Sequence, residues 1–301
     1  MTALSALRHV ALFYDDTDAV ATQIAGIIEQ DRRTGAAVLL CVPDALAAAI
    51  SERLGTDDGV TFLPSNERYA RPVTAMQALW NFTHASLADG ASRIHSIGRI
   101  SFDGSPSDVD WHWYERATND VFADVPLTAT CLFDTTTISP DTIACAHATH
   151  AEHIGQIDTP GHCDVERLLP RPIELPQRDA DLTLDGVTRS GTARHALELL
   201  DDDLAAGILE RARLIVSELV TNAIVHGGGR ADIRYWYESN AIFIEVADDG
   251  AGISDPVAAL RPPSLPVRGV GLWASHVEAT RLHVGERHPH GTIATAHVAD
   301  T

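Results

Sequence analysis

The nine residues Glu218-Leu-Val-Thr-Asn-Ala-Ile-Val-His226 carry more information about this chain than any other stretch. Glu218, Asn222 and His226 recur every four positions, so a helix would place all three on one face. A carboxylate beside a carboxamide on one helix face can hold a metal-bound phosphate group and orient a nucleophile. The spacing therefore predicts one wall of a nucleotide site.

A second block follows a predicted strand. The run Ala241-Ile-Phe-Ile-Glu-Val-Ala247 is rich in residues that favour strands, and Asp248 stands where that strand should end. A carboxylate there can accept a hydrogen bond from the exocyclic amine of adenine, whereas guanine presents a carbonyl at that position. Gly250 and Gly252 allow close approach of the backbone and positive φ. The block predicts a surface that recognises adenine.

A third block, Arg268-Gly-Val-Gly-Leu272, opens a helix predicted over residues 270–280. The first amides of a helix and its positive dipole end suit a polyphosphate. All 22 basic residues are arginine, so a phosphate loop of the Gly-Lys-Ser/Thr type is excluded anywhere in this sequence. The predicted nucleotide site therefore works without such a loop.

The three blocks, in this order, resemble the GHKL ATPase superfamily, whose ATP-binding module is an α/β sandwich called the Bergerat fold. The resemblance covers residues 185–298. It implies that Glu218 is the general base, Asn222 the magnesium ligand and Asp248 the reader of adenine. The implied ATP-binding residues are Asn222, His226, Asp248, Gly250, Gly252, Arg268, Gly269, Val270, Gly271, Leu272 and Thr292.

Two features of this region stay open at this point. His226 ends the predicted helix, where it could contact phosphate or only interact with the helix dipole. The proline-containing segment 253–267 falls where the family has its ATP lid. Arg261 or Arg268, on or beside this lid, could contact the γ-phosphate, and no motif distinguishes them.

The N-terminal half alternates strand-like and helix-like segments, which is typical of a parallel α/β sheet. Several of its details resemble the MEDS sensory domain, a RecA-like fold without its nucleotide loop. They are His9-Val-Ala-Leu-Phe-Tyr14, Glu115 and Asn119 within 111–122, Cys131-Leu-Phe-Asp134 and Ala146-His-Ala-Thr-His150. The resemblance implies an input module for a small molecule or another signal.

We expect three parts along the chain. A sensory domain spans 1–155, a proline-rich linker 156–184 and the ATP-binding domain 185–301. The prolines of the linker interrupt regular structure.

Composition narrows the functional classes. A formal charge of −20 argues against direct binding of nucleic acid or of an anionic membrane. No apolar run reaches the roughly 18 residues of a membrane helix, and the N-terminus lacks a signal-peptide pattern. We therefore expect a cytoplasmic protein whose four cysteines are reduced. Arginine without lysine suggests a GC-rich bacterial genome.

Cysteine and histidine crowd the segment from Cys145 to Cys163. Such side chains can bind zinc, but their spacing matches no familiar zinc pattern. Surface histidines and packed cysteines are the favoured interpretation, and metal binding stays open.

Within the superfamily, residues 217–227 and 268–273 most resemble anti-sigma-factor serine kinases. This resemblance implies ATP and Mg²⁺ as cofactors and a protein serine/threonine kinase. It also implies a STAS-domain antagonist, a sigma factor or both as partners, with a homodimer as one possible state. A sensory N-domain joined to this module resembles actinobacterial anti-sigma regulatory proteins, in which the N-domain controls the kinase.

Two other functional classes remain. A non-catalytic ATP-dependent switch would bind a partner without phosphotransfer. A sensor histidine kinase would need a phospho-accepting histidine on a long helical hairpin. His195 lies too close to Glu218 for such a hairpin, and prolines interrupt the chain upstream.

Overall fold

The computed structural model describes residues 6–155, 157, 161–198, 204–238, 240–263 and 270–300. The chain divides into two compact units, Met1–Leu169 and Pro170–Thr301. Their boundary falls inside the segment expected to be a linker, and the expected limits at 155 and 185 remain predictions. No helix among the described residues is long and apolar enough to cross a membrane.

The first unit is built on a six-stranded parallel sheet. Its strands, in the spatial order β3-β2-β4-β5-β1-β6, are β1 (Arg8–Tyr14), β2 (Ala37–Cys41), β3 (Val60–Phe62), β4 (Ile94–Gly98), β5 (Leu127–Asp134) and β6 (Glu152–Ile154). Its helices are α1 (Thr17–Thr34), α2 (Asp44–Leu54), α3 (Ser65–Arg68), α4 (Pro72–Ala88), α5 (Asp108–Val121) and α6 (Pro140–Thr149).

Local sequence explains how this unit forms. All residues of β1 after Arg8 are buried, as expected for a strand covered on both faces. Asp16 caps α1 by accepting hydrogen bonds from the amides of two residues in its first turn. Gly35 ends α1 with a φ of 72°, a conformation that favours glycine. β1 lies between β5 and the edge strand β6.

The second unit is built on a five-stranded antiparallel sheet. Its strands, in the order β10-β11-β9-β8-β7, are β7 (Leu182–Val187), β8 (Ala231–Glu238), β9 (Ala241–Ala247), β10 (Arg281–Glu286) and β11 (Thr292–Ala299). Its helices are α7 (Ser190–Leu197), α8 (Ala206–His226) and α9 (Val270–Glu278).

The long helix α8 organises the second unit. It packs against α7 and α9 and against strands β9 and β11. Its buried apolar residues are Ile208, Leu209, Ala212, Ile215, Val216, Leu219, Val220 and Ala223. Beneath it, the Tyr235 hydroxyl donates to the Ala193 carbonyl at 3.0 Å and fixes α7 to the sheet. Burial raises the pKa of this phenol.

The expected fold class, a parallel α/β domain and an α/β sandwich, is confirmed by the two sheets. Three short elements, α3, β6 and β7, were not expected. β6 consists of three exposed residues and has no apolar alternation to reveal it. β7 occupies the end of the expected linker, where it forms an edge strand paired with β8. The helix predicted to reach Thr280 ends at Glu278, because the Thr280 amide instead donates to the His297 carbonyl at 2.8 Å.

Candidate nucleotide-binding site

One face of α8 presents the first block of the predicted site. Leu219 and Ala223 are buried below it, while Glu218 and Asn222 are partly exposed above. Neither of these two polar side chains has a hydrogen-bond partner among the described residues. His226 is exposed at the end of the helix. The carboxylate and the carboxamide are therefore available to a ligand.

Asp248 lies at the end of β9 and is 7% exposed. Its Oδ1 atom accepts hydrogen bonds from the amides of Gly250 at 2.8 Å and of Thr292 at 3.1 Å. Its own amide donates to the Thr292 carbonyl at 2.9 Å. The second oxygen, Oδ2, accepts no hydrogen bond from the part of the chain that the structure describes. These contacts orient the carboxylate and leave one oxygen for an external donor.

Glycine is required where the backbone closes around Asp248. Gly291 has a φ of 108°, and a Cβ atom there would overlap the Asp248 carbonyl oxygen. A Cβ at Gly250 would lie 2.6 Å from the Gly227 Cα, too close for any side chain. Gly252 has a φ of 83°. The structure thus brings the end of the first block against the second.

The start of α9 brings the third block to the first. Val270 begins this helix, and a Cβ atom at Gly271 would overlap the Glu218 carboxylate. Glycine at that position lets the Glu218 carboxylate lie against the start of α9. Arg268 and Gly269, which precede the helix, lie outside the described residues.

A cavity of about 550 Å³ opens beside these elements. Of the candidate residues, those that line it are Asn222, His226, Asp248, Gly252, Leu272 and Thr292. Glu218, Gly250, Val270 and Gly271 are not part of its lining. The lining includes buried Val246 and Ala294 from two strands, so the cavity combines an apolar surface with a few polar groups, as small-molecule sites do.

Two family models match this chain, one for each unit. Residues 186–297 match the histidine kinase-like ATPase domain. Residues 8–151 match the MEDS family, described as the methanogen/methylotroph, DcmR sensory domain. The chain joins a MEDS domain to a histidine kinase-like ATPase domain.

Individual proteins are similar to parts of the chain. The anti-sigma F factor of Bacillus velezensis is 34% identical over 74 residues, which cover 21% of this chain and 51% of that protein. The chain thus spans about half the length of this curated relative. The solved structure of the histidine kinase AdeS of Acinetobacter baumannii is 18% identical to this chain. The match covers 39% of this chain and 68% of the AdeS chain, with a TM-score of 0.26. That value is too low to support a structural argument.

The described residues of the ATPase domain fit the nucleotide that its family implies. The cavity volume lies within the roughly 300–1,000 Å³ of small-molecule sites. From the residues that the structure describes, Asp248 Oδ2 accepts no hydrogen bond at the cavity wall, where an adenine amine would donate. Oxygen atoms from Asn222 and Glu218 are of the type that Mg²⁺ prefers.

Arg261 lines the cavity, as one of the two arginines proposed for phosphate contact. Its Nε and Nη2 atoms each lie 3.2 Å from the Asp255 carboxylate. Sequence reasoning did not select Asp255, because an acidic residue in a proline-containing loop carries no motif. The pair holds the guanidinium at the cavity.

Arg287 is a second residue that the sequence did not reveal. It donates to the Asp248 carbonyl at 3.3 Å, to Asp249 at 2.9 Å and to Asp232 at 3.3 Å. A hydrogen bond from Arg230 lowers the pKa of Asp249. These contacts support the turn after Asp248 from outside the cavity. Arg287 lies far from Asp248 in sequence, so only the fold connects them.

Proposed function

We propose that this protein is an ATP-dependent regulator of the anti-sigma type. Its ATPase domain transfers a phosphoryl group to a serine or threonine of a STAS-domain antagonist, and it binds that antagonist, a sigma factor or both. The MEDS domain provides the input that controls the transfer. The observation that carries the proposal is the pair Glu218 and Asn222, which lie on one face of α8 and have no hydrogen-bond partner among the described residues.

Asp248 selects the base in this proposal. Its Oδ2 accepts a hydrogen bond from the exocyclic amine of adenine, while the amides of Gly250 and Thr292 hold Oδ1. Guanine would direct a carbonyl oxygen at the same carboxylate. ATP is therefore preferred over GTP.

The remaining polar residues act on the phosphates. Asn222 would hold Mg²⁺, which when bound neutralises charge on the phosphate oxygens. Glu218 accepts the proton of the attacking serine or threonine hydroxyl, whose oxygen forms the new bond to phosphorus as ADP departs. Arg261, which lines the cavity, would contact the terminal phosphate.

The two rival classes predict different products. His195 is exposed on the eight-residue helix α7, and its Nδ1 lies 2.6 Å from the Glu198 carboxylate. This short helix is not the long hairpin that a phospho-accepting histidine needs. A non-catalytic switch would retain ATP binding and give no phosphorylated product.

The test is phosphotransfer from radiolabelled ATP and Mg²⁺ by the full chain. Candidate partners are captured from the native host with the full chain and identified by mass spectrometry. We expect acid-stable phosphate on a serine or threonine of a STAS-domain protein. ATP binding with no product would favour the switch. Acid-labile phosphate on this chain would instead indicate a histidine kinase.

A further inference from the structure

Four side chains converge in the core of the first unit. They are His9 on β1, Glu115 on α5, Cys131 on β5 and His150 directly after α6. Their nitrogen, oxygen and sulfur atoms all lie within 4.8 Å of one another. The side chains of His9, Glu115 and His150 are at most 3% exposed. This group, called the core cluster below, plays no part in the nucleotide site.

Four of the six atom separations within the core cluster are close to the edge lengths of a coordination tetrahedron. Glu115 Oε2 lies 3.1 Å from His9 Nε2, 3.4 Å from Cys131 Sγ and 3.6 Å from His150 Nε2. Cys131 Sγ lies 3.5 Å from His9 Nε2. Ligands bonded at about 2.0–2.3 Å to a tetrahedral zinc ion stand about 3.3–3.8 Å apart. These four separations are close to those of zinc ligands, and the remaining two, from His150 Nε2 to His9 Nε2 and to Cys131 Sγ, lie within 4.8 Å.

Hydrogen bonds outside the core cluster determine which histidine nitrogens face inward as acceptors. Asn119 donates from Nδ2 to the Thr149 carbonyl at 2.7 Å, which turns its Oδ1 towards His9. His9 Nδ1 donates to that Oδ1 at 3.1 Å. His150 Nδ1 donates to the Ala146 carbonyl at 2.8 Å. Each ring therefore directs Nε2 into the core cluster, and such supporting partners are typical of metal-bound histidines.

Without a cation, the core cluster holds more acceptors than donors. Two imidazole nitrogens and a carboxylate meet at one point, and the Cys131 thiol offers a single proton. Within the described part of the chain, Glu115 Oε1 and His150 Nε2 are buried with no hydrogen-bond partner. Beside them lies a cavity of about 20 Å³ that His9, Glu115 and Cys131 help to line. It has room for one occupant of the size of a water molecule or an ion.

We infer that the MEDS domain of this protein binds one zinc ion in a closed, four-coordinate site. Its ligands are His9 Nε2, Glu115 Oε2, Cys131 Sγ and His150 Nε2. Two imidazoles, a thiolate and a carboxylate suit Zn²⁺. The thiolate and the carboxylate also balance its two positive charges, so the buried site is neutral overall.

The crowded segment from Cys145 to Cys163 does not form this site as a whole. Of the described residues in this segment, His150 alone belongs to the core cluster. His153, only three positions later, is exposed. It therefore provides a matched control for histidine substitution in the same segment.

The metal content of the full chain tests this assignment. The tag-free protein is purified without chelator, analysed by mass spectrometry of its metals, and titrated with Zn²⁺ against a chromophoric chelator. We expect one equivalent of zinc in the wild type and in His153→Gln. Cys131→Ser and His150→Gln should bind at least about 100-fold more weakly. Asn119→Ala, which removes only a supporting partner, should lose about 10- to 100-fold.

A spectroscopic measurement covers the case in which these variants fail to fold. Co²⁺ replaces zinc in a Cys163→Ser background, which removes a partly exposed alternative thiol. A thiolate-to-cobalt absorption band is expected at one equivalent. The absence of this band, or equal zinc affinity in the wild type, Cys131→Ser and His150→Gln, would overturn the assignment. The core cluster would then be a metal-free ion pair between His9 and Glu115.

Discussion

The nucleotide cavity and the core cluster are built in opposite ways. The cavity measures about 550 Å³ and draws on three blocks that are each continuous in sequence. The core cluster adjoins about 20 Å³ of space and collects single residues from distant elements. An open cavity suits a ligand that exchanges with solvent, and a buried cluster suits an ion that stays bound. Under the two proposals, the ATPase domain exchanges its ligand, whereas the MEDS domain retains its ion.

Glu218→Ala sharpens this comparison most, because it tests whether the open site performs chemistry as well as exchange. Loss of a general base typically lowers the rate by about 10²–10⁴-fold, and ATP affinity should be unchanged. Single-turnover phosphotransfer and calorimetry measure the two quantities. Glu210→Ala, an exposed carboxylate on the same helix, is the control and should retain full rate. An unchanged rate in Glu218→Ala would show that another group accepts the proton of the attacking hydroxyl.

Asp248→Asn tests how the open site selects its ligand. Replacing the acceptor Oδ2 by an amide that donates removes a charged hydrogen bond of about 1.5–3 kcal/mol. We therefore expect ATP to bind roughly 10- to 150-fold more weakly, measured by calorimetry. Asp185→Asn, at an exposed position on β7, should bind ATP normally. Equal affinity of the wild type for ATP and GTP would contradict the role of Asp248.

The fragment 170–301 tests whether the two sites are coupled. It contains all three sequence blocks and begins where the second compact unit begins, so it should bind ATP as the full chain does. Allosteric coupling is typically about 1–3 kcal/mol, or about 5- to 150-fold. Phosphotransfer to the partner should change within that range. A folded fragment that cannot bind ATP would show that residues before 170 complete the cavity.

Gly271→Ala should have the smallest effect on the nucleotide site. Its new methyl group would displace the Glu218 carboxylate, which can rotate away. We expect a rate loss of about tenfold, below the roughly 100-fold that a 1 Å misplacement can cost. At Gly207, on the same unit's long helix, a Cβ would meet no atom within 4 Å. Gly207→Ala should therefore keep the full rate in the same assay.

The two sites also differ in how far they could be predicted from sequence. The spacing of Glu218 and Asn222, and a carboxylate at the end of an apolar strand, are local patterns that secondary structure converts directly into positions. Asp255 and Arg287 follow no such pattern, because their roles depend on loops that close in three dimensions. Within the Cys145–Cys163 segment, the sequence favoured surface histidines, but His150 is buried.

The alternation of strands and helices in the first unit could likewise be predicted from sequence, whereas its edge strand β6 could not. Long apolar strands can be recognised from their composition, but β6 consists of only three exposed residues. Its place beside β1 depends on pairing with residues near the start of the chain. Pairing between distant segments leaves no local signal.

The contact between the rings of His9 and His150, whose centroids lie 3.8 Å apart with the planes tilted by 36°, has a consequence for folding. These rings join the first strand of the unit to the end of its last helix. A metal ion bound by both histidines would link the two ends of the chain segment between them, much as a disulfide does. It would thereby restrict the conformations of the unfolded chain. During synthesis, this link could form only after His150 had left the ribosome. Metal capture would then mark the completion of the domain.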